Sequence, residues 1–459
     1  MIDDPEPNDW VPLHKRGKLP FGLIMAIACG NLVPGLMYNI IFALLSPTCS
    51  VLNLKSIVEQ MLLLAGSLIG FLLAPLLGVL SDGLMLKFGR RRIFVIVGTF
   101  LAIVALMLLS FYDKIGETCK DAFLGKRVIF IVSIILAFIS VNTIQSPARV
   151  LSSDVTPSKQ QSLMANICQF YNGIAPIISN ILGGKQVTVK GLEYTQFLLI
   201  ISVSISFVAM VICCIFAREE PLKVKPRRIN PFKQIYLAFK KMPKPFTRVI
   251  LPFLFANMAV YQFQIKFTDF MGKDIYQMHA NDYDDKSIYQ DGVSFAMLCL
   301  VVNNACQLVY SFINAKTIEF IGMRWTMLAG NIIMTGSLIS FIWVKQKYVY
   351  YALAGLIGIS QVIFTAIPYA TVSIVIPTEE LGNNLGILNC FCVIGQQVSN
   401  WGMGCFVDAI TSNRRSSKKI GYSAAFAALA AISSIWMLEP KPCSESTTQT
   451  IDKSEPSTL

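Results

Sequence analysis

The chain has 459 residues, 54% of them hydrophobic and only 14% charged, with a mean hydropathy of +0.58. Soluble domains carry about 25% charged residues, so the composition excludes an ordinary soluble enzyme. The net charge is +12; the basic residues sit between apolar runs, where the positive-inside rule accounts for them better than a nucleic-acid partner does.

A polar, acidic start, MIDDPEPNDW, leads into the first long apolar run, with no cleavable signal pattern before it. A transmembrane helix needs about 20 apolar residues. Runs of that kind predict spans near 20–47, 57–80, 93–112, 128–152, 163–184 and 195–217. After a polar break they resume near 249–268, 292–315, 323–344, 349–375, 383–408 and 420–437. The short alternating strands of a membrane β-barrel are not seen. The expected fold is an all-α membrane protein of twelve transmembrane helices in two six-helix bundles.

The break at 218–248 holds ten Lys or Arg and divides the spans six and six. It reads as a cytoplasmic linker. The expected organisation is a cytoplasmic segment 1–19, a bundle 20–217, the linker 218–248, a bundle 249–437 and a disordered cytoplasmic tail 438–459. Lys15, Arg16 and Lys18, and the loop carrying Lys87 and Arg90 to Arg92, agree with both termini inside. The second half obeys less well: the loop at 409–419, expected outside, carries Arg414, Arg415, Lys418 and Lys419. The two histidines, His14 and His279, and twelve cysteines show no zinc spacing. Cys49 and Cys119 fall in loops expected on one side, where a disulfide is open to them.

The densest motif is GVLSDGLMLKFGRRR at 78–92, with Gly78 for a close helix approach, Asp82 at a helix end, and Arg90, Arg91 and Arg92 anchoring at the membrane surface. It resembles the signature between helices two and three of major facilitator transporters, in the longer form of the sucrose/proton symporter branch that holds plant sucrose transporters and their animal relatives. Further stretches resemble that family in the same order. They are IQSPARVLSSDV with Gln145, Pro147, Arg149 and Asp154, then KFTDFMGKDIY at 266–276 and YQDGVSFAMLCL at 289–300. IPYATVSI and GNNLGILNCFCVIGQQ follow, with Gly386, Asn389 and Gln396 on motif positions. The chain is thereby identified as a divergent member.

Arg149 lies toward the end of the fourth span, and the resemblance implies a part for it in substrate recognition. Its guanidinium offers five donors in a fixed fork; an anchor or an internal salt bridge is the other reading. Asn142 and Gln145, three apart on one helix face, carry the donors and acceptors that polyols need, or those of a helix–helix hydrogen bond. Asn389 and Gln396, seven apart, share a face and complete the candidate substrate-binding set. The coupling or gating candidates are Glu59, Asp82, Arg90, Arg91, Arg92, Asp154, Asp269, Lys273 and Asp274. For the last acid-rich group a solvated loop cluster is the alternative.

One departure matters for mechanism. The family's proton-coupling aspartate lies eleven residues before the arginine, and here that position is Phe138. Either a carboxylate such as Asp269 or Glu59 takes over, or transport is uncoupled. The expectation is therefore a monomeric secondary transporter for a sugar or small polyol, with no cofactor beyond a proton. It would lie in the plasma or an internal membrane, with the lipid bilayer as its surroundings and no nucleic-acid partner. A carrier of another small neutral solute, and a membrane sensor without transport, are the alternatives. No nucleophile–base or metal constellation suggests an enzyme.

Overall fold

The computed structural model describes residues 11–83, 89–157, 160–184, 193–220, 242–276, 286–344, 346–376, 381–410 and 417–440. Twelve long helices run through the described residues, and no strand occurs among them. In the first half they are α1 (Phe21–Val51), α2 (Ser56–Gly83), α3 (Arg92–Ser110), α4 (Ala122–Asp154), α5 (Gln161–Gly184) and α6 (Tyr194–Phe216). In the second they are α7 (Lys244–Phe270), α8 (Lys286–Ile321), α9 (Met323–Trp343), α10 (Lys347–Val375), α11 (Leu381–Ile410) and α12 (Ser417–Ser434). The central stretches of the linker and tail, and the loops 277–285 and 411–416, lie outside the described residues.

Eight of these helices are long and apolar enough to cross a membrane by composition alone: α1, α3, α4, α6, α7, α8, α9 and α10. The reason α5 and α11 fall short is visible in their sequences. Asn172 and Asn180 on α5, and Asn389, Gln396, Gln397 and Asn400 on α11, make them polar. Such helices lie against protein rather than lipid. The lipid side is legible in the opposite way, with Phe100, Phe207, Val208, Ile332 and Ile432 apolar and exposed.

Helix contacts repeat with a shift of six. α3 packs on α4 and α6 as α9 packs on α10 and α12; α2 meets α4 as α8 meets α10; α1 meets α5 as α7 meets α11. This is the arrangement of two parallel repeats about an axis along the membrane normal. Two apolar cores follow the same division, one centred on Ile24, Met37, Phe130 and Phe138, the other on Phe246, Phe263, Phe341 and Tyr350. Between halves, α1 packs on α7, α2 on α11 and α5 on α8.

Polar side chains join helices where lipid-like surroundings give no other partner. Asn39 donates to Ser179 at 2.6 Å and to Asn180 at 2.8 Å, tying α1 to α5. Asn331 donates to Ser434 at 3.0 Å, tying α9 to α12. After Phe270 the backbone widens into a π-helical turn, Met271–Tyr276. There a side chain on Gly272 would meet Tyr289, and one on Gly292 would meet the Gly272 backbone. The glycines of the two adjoining motifs thus let the end of α7 and the start of α8 touch.

Candidate functional site

Three polar layers follow one another from one end of the helices to the other among the described residues. We call the end where the chain enters α1 and leaves α12 the tail face, and the other end the far face.

The tail-face layer belongs to the first half. Asp154, at the last residue of α4, accepts from Arg90 at 2.9 Å and from Arg91 at 2.7 Å. Glu219 accepts from the backbone N–H groups of Arg91 and Arg92 at the start of α3, a favourable place for a carboxylate at a helix N-terminus. Arg92 donates to the Ala217 carbonyl at 2.5 Å, and Glu220 accepts from Lys15 at 3.0 Å. The expected cluster of Arg90, Arg91, Arg92 and Asp154 is assembled, completed by two acids at the start of the linker that sequence reasoning passed over. Asp82 ends α2 near this layer in the chain, but its side chain lies outside the described residues.

The middle layer holds a cavity of about 240 Å³, lined by Asn257, Val260, Tyr261, Gln264, Gln307, Gln361, Phe364, Thr365 and Gln396. No charged residue is among them, and all come from α7, α8, α10 and α11. Gln307 donates to Asn303 at 2.8 Å and also to the Gln361 carbonyl oxygen. Gln361 is 6% exposed, and its Nε2 has no protein partner among the described residues. A buried, unmade hydrogen bond costs about 1–3 kcal/mol, so a donor left free beside a cavity is suited to an acceptor that arrives with a ligand. Asn257 accepts from the Cys392 thiol at 3.1 Å. Beside Tyr261, Gln397 of α11 donates to Ser67 of α2, which links the cavity to the first half. The edge of the Tyr261 ring meets Phe42, which stacks on Tyr38. Tyr38 donates to Asn142 at 3.4 Å.

The far-face layer joins the halves through charge. Lys266 of α7 forms an ion pair with Glu59 of α2; the two residues are 7% and 5% exposed. Lys266 also reaches Ser46 of α1 at 3.4 Å. One turn further, Asp269 pairs with Lys273 of its own helix at 3.0 Å. It accepts from Ser50 of α1 at 3.1 Å and from Tyr289 of α8 at 2.9 Å. Lys273 donates to Ser50 at 2.7 Å. Thr268 donates to the Ala43 carbonyl at 3.2 Å, and Asn400 of α11 to the Gln60 carbonyl at 3.0 Å. Asp269, 5% exposed, is therefore no part of a solvated loop cluster. Asp274 stands in the π-helical turn beyond it.

A sequence profile of the Major Facilitator Superfamily matches residues 27–395. The chain belongs to that superfamily. Within it, the chain is a divergent relative of sucrose transport proteins. It is 22% identical to "Sucrose transport protein SUT1" of Oryza sativa subsp. japonica over 91% of this chain and 88% of that one. It is 23% identical to "Sucrose transport protein SUC4" of Arabidopsis thaliana over 86% and 85%. Solved structures share the fold: a nucleoside transporter, NupG, with TM-score 0.65 and 10% identity over 91% and 99% of the two chains, and a D-xylose-proton symporter with TM-score 0.64 and 12% identity over 92% and 98%.

Within this facilitator, the sequence candidates for substrate binding divide. Gln396 lines the cavity. Asn142 is buried and held by Tyr38 and by the Phe138 carbonyl, to which it donates at 2.8 Å. Gln145 is half-buried, and Arg149 and Asn389 are exposed; none of these four is in the cavity lining. Arg149 has no carboxylate partner among the described residues, so the internal salt bridge weighed for it does not form there. Asn303 and Asn304 of α8 donate to the Ala354 and Leu300 carbonyls.

Phe138 is 3% exposed, and its ring occupies the place where a side chain on Gly66 of α2 would project, at 2.6 Å from a Cβ there. The position of the family acid is thus filled by an aromatic ring in a close helix contact. Cys49 and Cys119 are both free thiols, the first buried and the second exposed, so the disulfide left open to them is not formed.

The sequence reading missed Asn257, Gln264, Gln307, Gln361, Thr365 and Lys266. For Lys266 a signal existed. A lysine inside an expected span requires a buried partner, and Glu59 was an acid in the same position of need.

Proposed function

We propose that this facilitator carries a small, uncharged, hydroxyl-rich solute, a sugar of about hexose size or a polyol, by alternating access. The observation that carries this reading is the cavity: amides, a tyrosine and a threonine line it without a charged group. Amides offer both donor and acceptor, which matches hydroxyls, and an uncharged lining leaves an ionic cargo without a counter-charge. Tyr261 and Phe364 add flat apolar surface for a ring.

The inter-half bonds of Glu59, Lys266, Thr268 and Asn400 gather at the far face. The positive-inside rule puts the tail face, with Lys15, Arg90 and Arg91, in the cytoplasm. On that reading this conformation is sealed outside and takes or releases solute inside. Rocking of the halves about the cavity would part α1 and α2 from α7 and α11. Arg149, exposed on α4, would guard the inner approach. The relatives' printed names support a sugar, as does the fold shared with a xylose symporter.

The test is uptake into liposomes holding purified protein, with hexoses, pentoses, disaccharides, polyols, nucleosides, amino acids and organic cations offered in turn. Saturable flux of a hexose or polyol supports the proposal. Flux confined to a charged solute overturns it, and saturable binding without flux of any solute favours a sensor.

A further inference from the structure

We propose that Glu59 is the proton-binding group whose protonation opens the far-face seal, with Lys266 as its counter-ion. The inference rests on alternating access but on no particular cargo.

A group is linked to a conformational change only if its charge interactions differ between the two states. Two buried carboxylates, Glu59 and Asp269, stand in the seal, and they differ in this respect. Asp269 keeps its cation in its own half, since Lys273 lies four residues on, in the π-helical turn that continues α7. Its Tyr289 donor belongs to the same half. Of the Asp269 contacts given above, rocking the halves breaks the one to the Ser50 hydroxyl. Glu59 depends on the opposite half. Its lysine is 207 residues away on α7, and opening the seal withdraws it.

The charged and titratable groups near Glu59 among the described residues include Lys55, exposed four residues earlier, just before its own helix. Lys266 faces it from α7, Cys49 from α1, and Asp269 and Lys273 lie within electrostatic reach of that thiol. Lys266 itself lies within reach of Asp269, so it retains a negative partner when Glu59 leaves. Glu59, once parted, loses its buried counter-ion; Lys55, four residues before it in its own half, is exposed. Protonating Glu59 removes the attraction that closes the seal, and by reciprocity an open seal favours protonation. The sign is that acid at the far face opens the far face. Phe138 fits this picture: the fourth helix offers an aromatic ring where the family resemblance implies an acid, and the buried carboxylate paired across the halves sits on α2.

The cysteines supply a built-in readout. Cys49 is buried in the seal at 2% exposure, while Cys119 is exposed. Cys49 lies in the last turn of α1, and Cys119 lies in the connection from α3 to α4, both at the far face. Purified protein in detergent is treated with a sulfonated maleimide, and modification of the two peptides is followed by mass spectrometry. The Cys49 to Cys119 ratio cancels the pH dependence common to thiols. In the wild type the ratio rises as the pH falls, by up to about tenfold per pH unit, the limit for one linked proton. Glu59→Gln gives a high ratio that does not change with pH. Glu59→Gln with Lys266→Gln, an uncharged pair that can still hydrogen-bond, gives a pH-independent low ratio, and it separates loss of charge from loss of fold. Asp269→Asn keeps the wild-type pH response. A wild-type ratio that does not vary with pH, or a pH response that survives in the double variant, overturns the proposal. Liposome flux is scored separately. A pH-independent ratio with intact sugar uptake removes the proton role and spares the transport reading, and a pH-responsive seal without sugar uptake does the reverse.

Discussion

Gln361 and Phe138 set opposite expectations for substitution. The Nε2 of Gln361 is buried beside the cavity without a partner, so Gln361→Ala removes an unsatisfied group from the empty protein. Its melting temperature is expected to hold or rise slightly, while KM for the carried sugar rises about threefold to tenfold, the value of one hydrogen bond. Phe138→Asp is expected to do the reverse. It puts a carboxylate where a ring packs on Gly66, leaving a cavity and a buried charge. A loss of about 3–5 kcal/mol is expected, read as a lowered melting temperature in detergent, with no gain of proton-driven uptake. An F138D protein as stable as wild type and newly proton-driven would refute this account of the position.

At the scale of elements, the ends of helices hold the charge. Asp154 closes α4 onto Arg90 and Arg91, at about one-third side-chain exposure. Solvent screening there reduces what a pair is worth, so Asp154→Asn is expected to cost about 1–2 kcal/mol, measured by thermal unfolding, with Arg91→Lys costing less. The contact of α7 and α8 at Gly272 and Gly292 leaves no room for a side chain. Gly292→Leu is expected to part the two helix ends and to raise Cys49 labelling at neutral pH, without a pH signature of its own. Helix existence was legible from the apolar runs, because span length is set by the bilayer. The expected spans at 128–152 and 292–315 nonetheless fall short of α4 and α8, which run on to Asp154 and to Ile321. Polar helix ends such as Asn314 to Glu319 carry no hydropathy signal. The π-helical turn was illegible too, since the close contact of Gly272 with Tyr289 beside it is tertiary.

For the whole molecule, the division into two halves was legible in the basic break at 218–248, and the family in the ordered motifs. The site was legible only in part. Gln396 stood out because it fell on a motif position, whereas Gln307 and Gln361 meet only when α8 packs on α10. Glu59 could be named as a candidate acid, but pairing it with Lys266 requires knowing that α2 and α7 face each other across the halves. Arg149, for which the sequence left recognition, an anchor and a salt bridge open, is exposed on α4, outside the lining. The cavity draws on the second half alone, while the first half meets it through Ser67 and the Tyr38–Phe42 stack.

The central claim is that an uncharged, hydroxyl-rich solute moves through the amide-lined cavity. It is tested most directly by counterflow of labelled hexose in liposomes, comparing the wild type with Gln361→Ala. The account predicts saturable exchange in both proteins, with KM about threefold to tenfold higher in the variant and the maximal rate little changed. Equal KM in the two proteins, or exchange of charged solutes but of no hexose or polyol, would contradict it.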